Sequence, residues 1–195
     1  VTYAIKDKCK LAVRTALDMF SSDMKDVTGR KAIQASPTNA TIEITQLDMA
    51  SNSTKKRLKS MNVPVDEIAM KAECFDIRTN NNGKIIITGS DARGTAYGIL
   101  ELSRMAGVSP WTWWADSKPM HKDILTINDD FKTTQSPSVK YRGIFINDED
   151  WSMRPWSWKT YEKGNETGCI GAKTYKQIFK LLLRLRANTI WPAMH

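Results

Sequence analysis

Near its end the chain runs through two short apolar stretches, Val139–Ile146 and Asn188–Pro192, on either side of a helical pattern at Lys173–Ala187. Strand, loop, helix, strand is one βαβ unit, which implies parallel pairing and a crossover connection. One such unit neither closes a sheet nor covers both its faces. The residues therefore read as the opening of something larger, a barrel of which the first strands are present. The helix carries Tyr175, Ile178, Phe179, Leu182 and Leu185 on a broad apolar face. Lys176, Lys180 and Arg184 form a repulsive row along its other side.

The first of these strands ends in Asn147, Asp148, Glu149 and Asp150. Carboxylates are costly to desolvate, so they gather where a substrate, a metal or a partner offsets that cost. In parallel α/β folds, chemistry sits at the carboxyl ends of strands. Asp148 and Glu149 are the candidate functional carboxylates. The bland alternative is a cap on the following turn. Trp191, near the end of the second strand, is either a pocket wall or a core aromatic.

The first 136 residues read as a small α/β domain, closed by a boundary at Ser136-Pro-Ser138. Helical spacing of Ile5, Cys9, Ala12, Val13, Ala16 and Phe20 predicts a helix over 3–20. Strands are expected at Lys31–Ala35 and Thr41–Thr45, and a basic helix at Ser53–Met61. Strands at Glu73–Thr79 and Lys84–Thr88 are joined by the turn Asn80-Asn-Asn-Gly83. Ser90 is the expected cap of a helix that buries Ala96, Ile99, Leu100 and Ser103 and stops at Gly107. A tryptophan-rich loop with Trp111, Trp113 and Trp114 follows, then a strand at Asp123–Ile127. The tryptophans suit either domain packing or sugar stacking, and Trp151, Trp156 and Trp158 are candidate carbohydrate contacts.

Composition excludes several classes. Hydrophobic residues at 41% and charged residues at 26% are ordinary for a folded domain. No apolar run approaches the roughly 20 residues of a membrane span. The N-terminus shows no charged-then-apolar signal segment, so any export signal has been removed or never existed. The net charge of +8 is scattered rather than arranged beside stacking aromatics, which argues against nucleic acid. Cys9, Cys74 and Cys169 form no CxxC pair, and there are only two histidines, so neither a metal nor a cofactor is expected. Cys9 and Cys74 read as small core residues.

Four segments in order carry a family resemblance. They are Gly89-Ser-Asp-x-Arg-Gly-Thr-x-Tyr-Gly98, Gly107-Val-Ser-Pro-Trp-x-Trp-Trp-Ala-Asp116, Tyr141-Arg-Gly-Ile-Phe-Ile-Asn-Asp-Glu149, and Leu181 to Asn188 continuing through Trp191-Pro-Ala-Met194. Together they resemble glycoside hydrolase family 115, over about residues 84–195. The first 80 residues match only in general layout.

The resemblance implies a small N-terminal α/β domain (1–136) followed by the first β/α units of a (β/α)₈ TIM-type barrel (137–195). It implies a xylan α-1,2-glucuronidase that removes glucuronic or 4-O-methyl-glucuronic acid from glucuronoxylan with inversion. Asn147 and Asp148 would contact the uronic acid and Trp191 would help wall its pocket. Asp148 or Glu149 would position the sugar or activate water, with the general acid on a later strand. The partner is then a polysaccharide and the location secreted or periplasmic. Alternatives are a non-catalytic carbohydrate- or partner-binding domain, or a hexosaminidase-like barrel enzyme with the same front domain. The loop after Glu149 and His195 depart from the family pattern, which bears on subsite shape.

Overall fold

A computed structural model describes residues 1–5, 9–147, 149, 151–164 and 168–194. The chain divides into two units, Val1–Ser138 and Val139–His195.

The first unit is built on a six-stranded sheet. Its strands are β1 (Thr2–Ile5), β2 (Ile33–Gln34), β3 (Ile42–Gln46), β4 (Phe75–Thr79), β5 (Ile85–Gly89) and β6 (Lys132–Gln135), in the order β2-β1-β3-β5-β4-β6. β2, β1, β3 and β5 run parallel, whereas β4 is antiparallel to both β5 and β6. The helices are α1 (Leu11–Thr28), α2 (Asn52–Ser60), α3 (Val65–Ala69) and α4 (Ala92–Met105).

Successive strand residues face opposite sides, and the packing follows that rule. A Cβ added at Gly98 of α4 would meet Ile87 Cγ2 at 2.8 Å, so α4 lies on the Ile87 face. Ile86 turns the other way, into a cluster with Leu47, Leu58, Val63, Val65, Ile68 and Cys74. Each fully buried isoleucine contributes roughly 1.5–3 kcal/mol. Because both faces are covered, β3 is buried along its whole length rather than alternating, polar residues included. Glu43 is tolerated there because the Arg57 guanidinium of α2 forks onto its carboxylate.

Three expectations are corrected here. Residues 2–5 form a central strand, not a helix, and the helix starts at Leu11. Ile5 fits both a period of 2 and one of 3.6, and pairing decides: Tyr3 and Ile5 sit opposite Ile42 and Ile44. Cys9 therefore lies outside the helix, half-buried, while Cys74 is fully buried. No strand forms at Asp123–Ile127; Ile124 is 76% exposed. The partner of β4 is instead β6, where Thr134 faces Asp76 and donates its hydroxyl to that buried carboxylate at 2.7 Å. Finally, α4 is capped by Asp91, which accepts from Gly94 N–H at 2.8 Å. Ser90 accepts from Cys74 N–H at 3.0 Å, tying the loop to β4.

The second unit contains β7 (Gly143–Phe145), α5 (Met153–Trp156), a wide π-type turn at Ser157–Tyr161, α6 (Ala172–Arg184) and β8 (Thr189–Trp191). β7 and β8 pair in parallel, with Gly143 opposite Thr189, Ile144 opposite Ile190 and Phe145 opposite Trp191. The strands are shorter than their apolar runs, because side chains take over the bonding before Gly143. Arg142 donates to the carbonyls of Arg186 (2.8 Å) and Val139 (2.6 Å), and Asn188 Nδ2 donates to the Lys140 carbonyl at 2.8 Å. Gly143 permits a very close approach of the two strands: an added Cβ would overlap the Thr189 carbonyl oxygen and lie 2.9 Å from its Cβ. The α6 face is narrower than its pattern suggests. Ile178 and Leu182 are buried and Tyr175 half-buried, but Phe179 and Leu185 are exposed.

Candidate functional site at the carboxyl ends of β7 and β8

The parallel register sets the geometry of this site. Phe145 and Trp191 are direct partners, and their rings meet edge to face, 5.8 Å between centroids at 86°. The ladder takes one more step, Ile146 N–H to the Trp191 carbonyl at 2.9 Å, and then the β7 chain leaves the sheet. Asn147 follows at once, and its side-chain amide donates to the Glu149 carboxylate.

Of the residues singled out from sequence, Asn147 and Glu149 thus touch one another, both exposed, and Trp191 stands on the adjoining strand end, 72% exposed. Asp148 and Asp150 lie outside the described residues. The Asn147–Glu149 bond is a short-range turn contact, as the capping alternative called for, yet both groups face solvent and retain lone pairs for sugar hydroxyls.

Neither arginine considered for a uronate carboxylate is placed for that role. Arg142 is tied to main-chain carbonyls at the opposite end of the β7–β8 pair. Arg154 of α5 donates to the Gly168 carbonyl.

The loop from β7 to α6 is clasped onto the N-terminus of α6. Gly171, the residue that opens α6, offers no side-chain cap. The buried Glu162 supplies one from earlier in the loop, accepting from Thr174 N–H at 2.6 Å. Ser157 Oγ lies 2.7 Å from Thr174 Oγ1 and accepts from Gly171 N–H at 3.2 Å. Burial pushes the Glu162 carboxyl up, but its hydrogen bonds to Thr174, the Lys173 N–H and the Lys173 charge outweigh this and hold it below the ordinary carboxylate value. The same loop presents Trp156 stacked on Tyr161 (5.2 Å, 5°), Trp158 under Lys159, and Trp151 at 82% exposure.

Sequence reasoning missed two contributors. Glu162 has no motif around it, and its partner is a backbone amide. Tyr175 was read as a core residue of α6, but its hydroxyl accepts from Ala193 N–H at 3.0 Å, just past Trp191. In the first unit, Trp111 and Trp113 are 48% and 39% exposed, and Trp113 meets Trp114 edge to face at 4.9 Å. Among the described residues no three His, Cys, Asp or Glu side chains gather to hold a metal, and no helix is long and apolar enough to cross a membrane.

Comparisons with known proteins bear on this geometry. Residues 134–195 match the model of glycosyl hydrolase family 115. All of the chain aligns with BtGH115A, described as a 4-O-methyl-α-glucuronidase of that family with specificity for decorated arabinogalactans, at 44% identity and a TM-score of 0.90. The chain spans 25% of that protein's length. The likeness therefore extends through the first 80 residues, where the sequence resembled the family only in layout. Two more distant structures share the fold. A glycoside hydrolase family 138 enzyme targeting pectin rhamnogalacturonan II matches over 98% of this chain and 18% of its own at 17% identity, TM-score 0.56. A Streptomyces plicatus β-hexosaminidase matches over 98% of this chain and 30% of its own at 14% identity, TM-score 0.58. No curated protein matches the chain. Family model, motifs and whole-chain identity agree: this α/β chain belongs to glycosyl hydrolase family 115.

Proposed function

We propose that the protein of which this sequence is a part is a glycoside hydrolase that removes glucuronic or 4-O-methyl-glucuronic acid from a decorated polysaccharide outside the cytoplasm. The observation that carries this reading is the 44% identity to BtGH115A along the entire chain. The second unit then supplies the first two strands of a (β/α)₈ barrel, and its strand ends form part of the sugar pocket. Asn147 and Asp148 bond the uronic acid hydroxyls and Trp191 walls the pocket. Asp148 or Glu149 orders the attacking water, and a general acid from a later strand completes an inverting pair. Inversion needs the two carboxyls roughly 6.5–9.5 Å apart, leaving space for that water.

The polysaccharide backbone is open between two readings. The sequence motifs favour glucuronoxylan; the arabinogalactan specificity described for BtGH115A favours the second. Assaying uronic acid release by the full-length protein on both polymers distinguishes them. Asp148→Asn should lower kcat/KM by about 100-fold or more on the preferred one, the usual scale for a lost acid–base or charged contact. An unchanged rate removes Asp148 from the mechanism. The 195-residue chain alone should release nothing, and release by it would overturn the assignment of the general acid to a later strand.

A further inference from the structure

We propose that Tyr175 is a positioning residue for the sugar site, holding Trp191 in place by hydrogen-bonding the backbone just beyond it. The inference rests on the role proposed for Trp191 and adds a residue that no motif marks.

An indole that is 72% exposed has little packing to fix it. A pocket wall must nevertheless be held within about half an ångström to favour one sugar orientation. Two contacts restrain this one. Phe145 meets the ring edge to face from the neighbouring strand. Beyond the ring, β8 ends at Trp191 and Pro192 follows, a residue with no N–H to offer the ladder. The next available donor is Ala193 N–H, and Tyr175 Oη takes it at 3.0 Å. Tyr175 itself sits in the first half of α6, half-buried, with its ring tilted against Phe179 at 6.1 Å between centroids. The bond bridges 18 residues and fastens the segment after β8 to the helix before it. With Ile146 N–H on the Trp191 carbonyl, the backbone around the indole is anchored on both sides.

The test uses the full-length protein and a short oligosaccharide bearing 4-O-methyl-glucuronic acid. Tyr175→Phe keeps the ring and removes only the hydroxyl. KM should rise roughly fivefold with kcat held within about twofold, the scale of one net hydrogen bond. Hydrogen exchange at Ala193 N–H should quicken by a similar factor. Trp191→Ala should raise KM by itself, and Tyr175→Phe added to it should raise KM no further, since residues acting through one another are non-additive. An equal KM increase from Tyr175→Phe in both backgrounds, or a wild-type KM in the single variant, overturns the positioning role while leaving the glycosidase reading intact. Absence of uronic acid release by the unsubstituted protein sinks that reading, and this inference with it.

Discussion

Gly143→Ala is the sharpest single perturbation of the β7–β8 pair. Parallel strands sit about 4.8 Å apart, and a methyl group at 143 would point into the Thr189 carbonyl of the neighbour. The obstacle is main chain, with its carbonyl carbon 2.5 Å and Thr189 Cβ 2.9 Å from the new atom, so no rotamer change relieves it. The strands must separate locally by roughly 1 Å, an overpacking that costs about 1–3 kcal/mol. The nearby bonds from Thr189 N–H to the Arg142 carbonyl (3.0 Å) and from Ile146 N–H to the Trp191 carbonyl (2.9 Å) stretch with it, at about 1 kcal/mol each. Replacing glycine in a strand returns about 0.5–1 kcal/mol of backbone entropy. The net loss is about 2–3 kcal/mol. Hydrogen exchange at Ile146 and Thr189 should accelerate by roughly 30- to 150-fold, since 1.4 kcal/mol is about one decade. Gly164→Ala is the control: its φ is +92° with nothing within 4 Å, so only backbone strain of about 1 kcal/mol applies. Wild-type protection of both amides in Gly143→Ala would refute the close-approach argument.

Three further outcomes are expected. The Glu162 carboxyl is held below its ordinary value of 4.5, so its contribution to the second unit is present above the unfolded value and drains away as pH falls through the lower folded one. Denaturation between about pH 7 and 2.5 should show this acid loss in the native chain and a flatter profile in Glu162→Gln; parallel profiles would remove the carboxylate from the clasp. Asp91→Ala should destabilise the first unit by about 1–2 kcal/mol, because it strips the α4 cap and the Glu73 N–H bond together, whereas an exposed Ser53→Ala should stay within about 0.5 kcal/mol by urea titration. Burial pushes the Cys74 thiol up and closes it off, so a thiol reagent should modify Cys9 and Cys169 well before Cys74; simultaneous labelling would contradict the packed core around it.

Much of this architecture was legible from sequence where local signals and pairing agreed. The Asn80 turn is one case: its side chain accepts from Asn82 and Lys84 N–H at 3.0 and 2.9 Å, the bonds an Asx turn makes. The α4 helix and its Gly107 stop, at φ +101°, are another. Reading failed where a distant partner decided. Thr2–Ile5 is a strand because β2 and β3 flank it, which no five-residue window reveals. β6 forms on an edge that β4 leaves available, far away in sequence, while the more apolar Asp123–Ile127 finds no such edge. At the candidate site, the βαβ pattern and the strand-end acids were visible because they are local. The Glu162 and Tyr175 contacts were not, since each acts on a main-chain amide and so leaves no complementary residue type in the sequence.

The arrangement of Arg142 and Asn188 has an evolutionary consequence. These side chains rivet the amino-terminal ends of β7 and β8 together through carbonyls at 139, 140 and 186, with no help from the residues past Phe145. Strand alignment is therefore guaranteed from below, and the segment between Asn147 and Ala172 is released from any duty in keeping register. Relatives can rewrite that stretch, lengthening it or exchanging its tryptophans, to suit a new sugar decoration. The scaffold beneath stays as it is.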